Sequence, residues 1–220
     1  MVEISTSILS VKKEEAIKTF YELEVANTNY FHIDVMDGKF VPKNTLEIMN
    51  EYANTIKHIS NIPLDVHLMV KDIKENILNY IELRPNIITF HIEACNNKEE
   101  VMECIKLIKE NNIKVGIAIK PATDILEIYN FLPYIHMILI MTVEPGLGGQ
   151  KLIPETIKKV KDLKNYLEEN KIEIDIEVDG GIKENNVTNL IEAGANIIVA
   201  GTAIVDSEDY KKTIKNLRGN

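Results

Sequence analysis

Nothing in the 220 residues approaches about 18 unbroken apolar residues, the length at which a chain starts to look like a membrane span. The opening stretch, MVEISTSILSVKKEE, has no long apolar h-region either, so the expected setting is soluble and cytoplasmic. The glycosylation-like Asn186-Val187-Thr188 is then a chance match. Cysteine is scarce: Cys95 and Cys104 are the only two, with no CxxC spacing, and both read as reduced bystanders. Basic charge is in deficit, since 25 Lys and Arg against 34 Asp and Glu leave a formal charge of −9. Nucleic acid and anionic membranes are therefore not expected partners, although an acidic chain can still build a local site for a small anion. No GxxxxGK[ST] loop and no strand-linked GxGxxG occurs, which removes nucleoside-triphosphate and dinucleotide sites. With no linker and no low-complexity tract, residues 1–220 read as one domain.

What is present is an ordinary globular composition, 45% hydrophobic and 27% charged. Short β-rich runs alternate with longer amphipathic ones from end to end. The pattern predicts strands at Glu3–Leu9, Tyr30–Val35, Leu64–Met69, Asn86–Ile92, Lys114–Ile119, Met137–Met141, Asp175–Val178 and Asn196–Ala200. Between them lie helical patterns: one capped by Ser10, one opened by Asp124, one with Pro154 in its first turn and a last one capped by Ser207. Eight βα units of about 27 residues each point to a single (β/α)8 TIM barrel, with an open doubly wound sheet as the alternative.

Period-2 alternation divides each strand into two faces. Ile33 and Val35 oppose His32, Asp34 and Met36, while Val66, Leu68 and Val70 oppose Asp65, His67 and Met69. Ile88, Phe90 and Ile92 oppose Thr89, His91 and Glu93, and Ile176 and Val178 oppose Asp175, Glu177 and Asp179. On the first strand Ile4 and Ile8 oppose Ser5 and Ser7. In a barrel the aliphatic faces meet the helices, so the polar faces point to the axis and the C-terminal strand ends line the mouth. A single inward histidine is usually a hydrogen-bonded core residue, but here three successive strands deliver one to the same end.

His32, Asp34, His67 and Asp179 would thus converge as two imidazoles and two carboxylates. Such a mixed donor set suits one divalent metal ion, with Zn, Fe, Mn and Co all left open. Asp34 and Asp179 stand three strands apart around the ring, far enough to flank a substrate. Asp37-Gly38 reads as a turn, and His58 and His136 as structural. Glycine-rich turns follow the last three strands: EPGLGGQ at 144–150, DGGI at 179–182 and AGTAI at 200–204. Three of them at the active end suggest a backbone cradle for phosphate.

The segments TSILS, HIDVMDGKFVP, LDVHLMV, IKPAT, MTVEPGLGGQKLIP, EVDGGI and AGTAI occur in this order from about Ile4 to Ile204. Together they closely resemble the ribulose-phosphate 3-epimerase family. That resemblance implies a metal-dependent enzyme, a phosphorylated ketose as substrate and a homo-oligomer. The reaction would interconvert D-ribulose 5-phosphate and D-xylulose 5-phosphate, and the closely related allulose 6-phosphate epimerases share most of these motifs. By match, His32, Asp34, His67 and Asp179 are expected as metal ligands, with Asp34 and Asp179 also the acid/base pair. Substrate contacts are expected from Ser7, His67, Gly146, Leu147, Gly148, Gly149, Gly180, Gly181, Gly201 and Thr202. Met36, Met69 and Met141 correspond to methionines lining the family's site. The chain departs at Thr6, where Pro is usual, at Leu147, where Phe is usual, and at Thr202, where Ser is usual.

Two other barrel classes can be weighed against the residues. Decarboxylases acting on phosphorylated substrates carry an Asp-x-Lys-x-x-Asp pattern, whereas the corresponding stretch here is His32-Ile-Asp34-Val-Met-Asp37 with no lysine before Lys39. A non-catalytic sugar-phosphate-binding barrel has no need of two inward aspartates, and both are present.

Overall fold

Aliphatic side chains on one face of every strand need a cover, and the amphipathic segments between strands supply it. The computed structural model describes residues 2–219. Eight parallel strands close into a barrel in the order β1 to β8, with β8 returning to β1. They are β1 (Glu3–Ser7), β2 (Tyr30–Met36), β3 (Leu64–Met69), β4 (Ile87–His91), β5 (Lys114–Ile119), β6 (Met137–Met141), β7 (Asp175–Asp179) and β8 (Ile197–Ala200). The helices are α1 (Ala16–Val25), α2 (Leu46–Ile59), α3 (Ile73–Ile81), α4 (Lys98–Glu110), α5 (Glu155–Glu169), α6 (Val187–Ala193), α7 (Thr202–Val205) and α8 (Tyr210–Leu217). This is a single (β/α)8 TIM barrel, as the unit count predicts, and the strands differ from expectation only at their ends. No helix among the described residues is long and apolar enough to cross a membrane.

The helix faces follow from spacing. In α2, Met49, Tyr52, Ala53 and Ile56 recur at intervals of three and four and are all buried. They pack on the outward face of β2, where Ile33 and Val35 are inaccessible to solvent, as are Val66, Leu68, Ile88 and Phe90 on the strands that follow. Phe20 of α1 sits edge-on to Phe31 and Tyr52, with ring centroids 5.7 and 5.4 Å away. Inside the barrel, Ile87, Met137 and Ile197 form an apolar floor beneath the polar residues of the axis.

The connection between β5 and β6 departs from expectation. Asp124 does open it, its side chain accepting from the Leu126 N–H at 2.9 Å, but residues Ile125–Tyr134 wind as 3-10 turns. Pro133 lies within that stretch and cannot supply the N–H that an α-helix would need there. Two expected caps are also corrected. Ser10 lies in a turn ahead of the 3-10 segment Lys13–Glu15 that leads into α1. Ser207 Oγ donates back to Ile204 O at 2.7 Å, leaving Asp209 to cap α8 by accepting from Lys212 N.

Candidate active site

Parallel register sets the polar side chains at defined heights along the axis. Asp34 pairs with His67 and His32 with Ser7. His32 Nε2 lies 3.5 Å from Asp34 Oδ1 and 3.9 Å from Asp179 Oδ2. His67 Nδ1 lies 3.6 and 3.7 Å from the same two oxygens, and 3.4 Å from His32 Nε2. Four donor atoms, one from each predicted ligand, thus fall within 4.8 Å of one another. Two imidazole nitrogens and two carboxylate oxygens at this spacing form a group able to hold a metal ion.

The atoms behind this cluster orient it. Ser7 Oγ donates to Asp34 Oδ2 at 2.6 Å, which leaves Oδ1 facing the imidazoles. Thr45 Oγ donates to Asp34 O and accepts from Met36 N, clamping the end of β2. His32 Nδ1 meets Asp65 Oδ2 at 2.6 Å, and Ser5 Oγ donates to that same oxygen. The His32 Nδ1–H to Asp65 bond leaves Nε2 as the ring atom that faces the cluster. Burial opposes a charge on this imidazole, but Asp65 and Asp34 more than offset it and raise it well above its ordinary value, so a metal ion would displace the Nε2 proton on binding. Asp65 Oδ1 and both Glu177 oxygens, just below, are buried without a hydrogen-bond partner.

Charge is divided unequally here. Burial opposes ionisation of Asp34, but the imidazoles of His32 and His67 more than offset it and hold its carboxyl well below the usual range. At Asp179 the balance goes the other way: burial and the neighbouring Asp34 charge outweigh the pull of His32 and push it up to about 7. Burial likewise raises Glu177, with Asp65 adding to the effect. Burial and the neighbouring His32 keep His67 neutral.

Above the cluster opens a cleft of about 340 Å³. Its walls include Ser7, Asp34, Met36, Met69, Met141 and Asp179, together with the turns holding Gly146–Gly149, Gly180–Gly181 and Gly201–Thr202. Every expected substrate-contact residue lines it except His67, which lies fully buried beneath it beside His32. Gly146, Gly149, Gly180 and Gly181 all have positive φ, so these turns depend on glycine. Leu147 is 62% exposed at the rim. Thr6 points away from the cleft, its hydroxyl 2.7 Å from that of Thr28.

Asp37 is a turn residue, as expected. It also does more, since Oδ1 accepts from Lys39 N and Phe40 N while Oδ2 accepts from Lys71 N beyond β3. His58 Nδ1 contacts Asn54 O and His136 Nδ1 accepts from Val115 N, so both are structural. Sequence reasoning missed Lys43 and Lys183, which also line the cleft. No residue pattern marks a loop lysine. It placed Asp65, His91, Glu93 and Glu177 on the inner face without giving them a role.

A family model described as "Ribulose-phosphate 3 epimerase family" matches residues 3–205. The ribulose-phosphate 3-epimerase of Escherichia coli K12 is 37% identical over 219 residues, covering 98% of this chain and 94% of its own. That of Bacillus subtilis is 35% identical over 221 residues and covers 100% of both. Among solved structures, 3-hexulose-6-phosphate synthase from Salmonella typhimurium superposes with a TM-score of 0.70 at 16% identity, covering 99% of this chain and 97% of that one. At that identity the likeness speaks for the fold.

Proposed function

The chain belongs to the ribulose-phosphate 3-epimerase family, and on that premise we propose that it interconverts D-ribulose 5-phosphate and D-xylulose 5-phosphate by passing the C3 proton between Asp34 and Asp179. The enzyme class, a carbohydrate epimerase, follows from the family itself. The observation that carries the mechanism is the placement of two carboxylates, Asp34 on β2 and Asp179 on β7, in the wall of one cleft. Epimerisation beside a ketone removes a proton from one face and returns one to the other. It therefore needs one ionised carboxylate and one carboxylic acid at the same moment. In the metal-free site Asp34 is held low and Asp179 lies at about 7, so the two differ in proton affinity in the sense that dividing base and acid between them needs. After one turnover the roles have exchanged, which suits a reversible reaction.

The Ser7 hydroxyl, donating to Asp34 Oδ2, holds this carboxylate in a fixed orientation toward the cleft. The methionines Met36, Met69 and Met141, almost wholly buried, keep the reacting carbon away from water. The glycine turns offer backbone N–H groups to the substrate phosphate at the far end of the cleft. One divalent ion of the Zn, Fe, Mn or Co class, held by His32, Asp34, His67 and Asp179, would supply positive charge opposite the oxygen where negative charge develops. The same reading takes the protein to be a cytoplasmic homo-oligomer.

Turnover in deuterium oxide tests the proposal. The C3 hydrogen should exchange with solvent, and Asp34→Asn or Asp179→Asn should abolish both exchange and turnover. Exchange at C1 would instead identify an aldose–ketose isomerase. A coupled assay before and after chelation should show activity lost with the metal and restored by it. Equal or faster turnover of allulose 6-phosphate would move the substrate assignment to the hexose.

A further inference from the structure

Two buried groups that the proposed reaction does not use sit in line behind His67. His67 Nε2 lies 2.9 Å from His91 Nε2, and His91 Nδ1 lies 3.1 Å from Glu93 Oε2. Both imidazoles are inaccessible to solvent, and the Glu93 side chain is 21% exposed. The other Glu93 oxygen, Oε1, accepts from Lys120 N at 2.6 Å and from Thr123 Oγ. The chain from β3 through β4 to the loop after β5 therefore ends on an acceptor with two fixed donors.

We propose that Glu93, acting through His91, is a positioning residue that fixes the tautomer of His67 and so makes Nδ1 the metal-binding atom. The inference rests on the reading of His67 as a ligand. A carboxylate can only accept, so His91 Nδ1 carries the proton and donates it to Glu93. A neutral His91 then has a lone pair at Nε2, and the contact at 2.9 Å requires His67 Nε2–H to donate to it. His67 Nδ1 is left bare, facing the Asp34 and Asp179 oxygens at 3.6 and 3.7 Å. Both imidazoles are sealed from solvent, and with the His91 Nδ1–H committed to Glu93 the contact between the two Nε2 atoms needs one proton only. His32 gets the same service from Asp65 directly. Both ligand imidazoles thus answer to a carboxylate, His32 at one remove to the buried Asp65 and His67 at two to the half-buried Glu93.

Glu93→Gln inverts the relay by geometry. Two donors hold the Oε1 position, so the amide oxygen must stay there and the amide N–H2 must face His91. His91 Nδ1 then accepts, its Nε2 donates, and His67 must carry its proton on Nδ1, where the ion would bind. Nitrogen-15 NMR of the metal-free wild-type protein at neutral pH should find the His67 proton on Nε2, and Glu93→Gln should move it to Nδ1. The Zn²⁺ dissociation constant should rise about 10–100-fold in the variant, the range for lost outer-sphere partners. A purely structural role for Glu93 would lower the melting temperature and leave the His67 proton in place. A proton on Nδ1 in the wild-type protein, or unchanged Zn²⁺ affinity in a folded Glu93→Gln, overturns the proposal. If the wild-type proton is on Nε2 but added Zn²⁺ leaves the His67 resonances unmoved, the relay stands and the ligand assignment falls.

Discussion

Gly149 and Gly181 both have left-handed backbone, φ 73° and 67°, and both belong to turns expected to cradle phosphate. Replacing either with alanine imposes the same conformational cost, about 1–2 kcal/mol for an L-residue in that region. Part of it is returned by the stiffer unfolded chain, about 0.4–1 kcal/mol. The two positions differ in what the new methyl would meet. At Gly149 no atom lies within 4 Å. At Gly181 the methyl would fall 2.7 Å from Gln150 O and 2.8 Å from Lys151 C, and against Leu152 N as well. Backbone cannot rotate aside as a side chain can, so the 150–152 segment must shift by about 1 Å, at a further cost of about 1–3 kcal/mol. That segment directly follows Gly148 and Gly149, and a displacement of this size in a positioning element costs about 100-fold in rate. Gly181→Ala should therefore lose about 100-fold in kcat/KM and melt several degrees lower, while Gly149→Ala should stay within about tenfold and nearly keep its melting temperature. Steady-state kinetics on the phosphorylated ketose and thermal melts by circular dichroism would read both. Equal losses in the two variants would refute the argument, because contact, not φ, is what separates them.

Acid should destabilise the protein through the pair behind His67. Burial works against the Glu93 charge, but bonds from His91, Lys120 N and Thr123 hold its carboxyl down to about 2 against an ordinary 4.5. The folded state thus refuses a proton that the unfolded chain accepts, a contribution of about 3 kcal/mol that is complete above pH 4.5 and is lost as pH falls toward 2. His91, pushed from 6.5 to about 4 by burial, acts in the same direction between those values. Urea unfolding from pH 7 to pH 3 should show wild type losing stability more steeply than Glu93→Gln, and parallel curves would contradict the assignment. Phe20→Ala should cost about 3–5 kcal/mol, since the ring is wholly buried between Phe31 and Tyr52, and should lower the melting temperature by on the order of 10 °C. A loss below about 1 kcal/mol would mean that the space between α1 and the barrel collapses.

The unequal treatment of residues by sequence reasoning has a physical cause. Strand faces are a property of single residues and a period of two, so Asp34 and Asp179 could be placed on the axis without knowing any partner. The eight-fold count then supplied closure. Helix caps are choices between competing local hydrogen bonds. Ser207 and Asp209 both qualify by type, and only geometry shows the serine bonding back to Ile204. The 3-10 winding of Ile125–Tyr134 is legible only in part, because Asp124 fits the start of either helix type and Pro133 enters late. Roles that depend on distance across the barrel were out of reach. Parity turns Asp65 inward, but its bond to His32 comes from the β2–β3 register, which places His32 beside Asp65.

The same register explains why so much charge can sit inside a barrel. Asp34, Asp65, Asp179 and Glu177 crowd two imidazoles, and four carboxylates ionised together at these spacings would repel strongly. The structure separates them by environment. Asp34 and Asp65 each have a histidine and a serine hydroxyl to stabilise the charge, so both stay low. Glu177 and Asp179 have no serine hydroxyl donating to them and share His32 only at a distance of 3.9 Å, and burial outweighs that attraction and drives both up. Deep in the barrel the raised Glu177 therefore sits beside an ionised Asp65, and in the cleft wall the raised Asp179 stands across from an ionised Asp34. The second pairing faces the cleft and the first is sealed from it. Of these four acids only Asp34 and Asp179 line the cleft, which is why, on the proposed function, the two aspartates and not the other two acids of the same cluster are the ones whose replacement should stop exchange at C3.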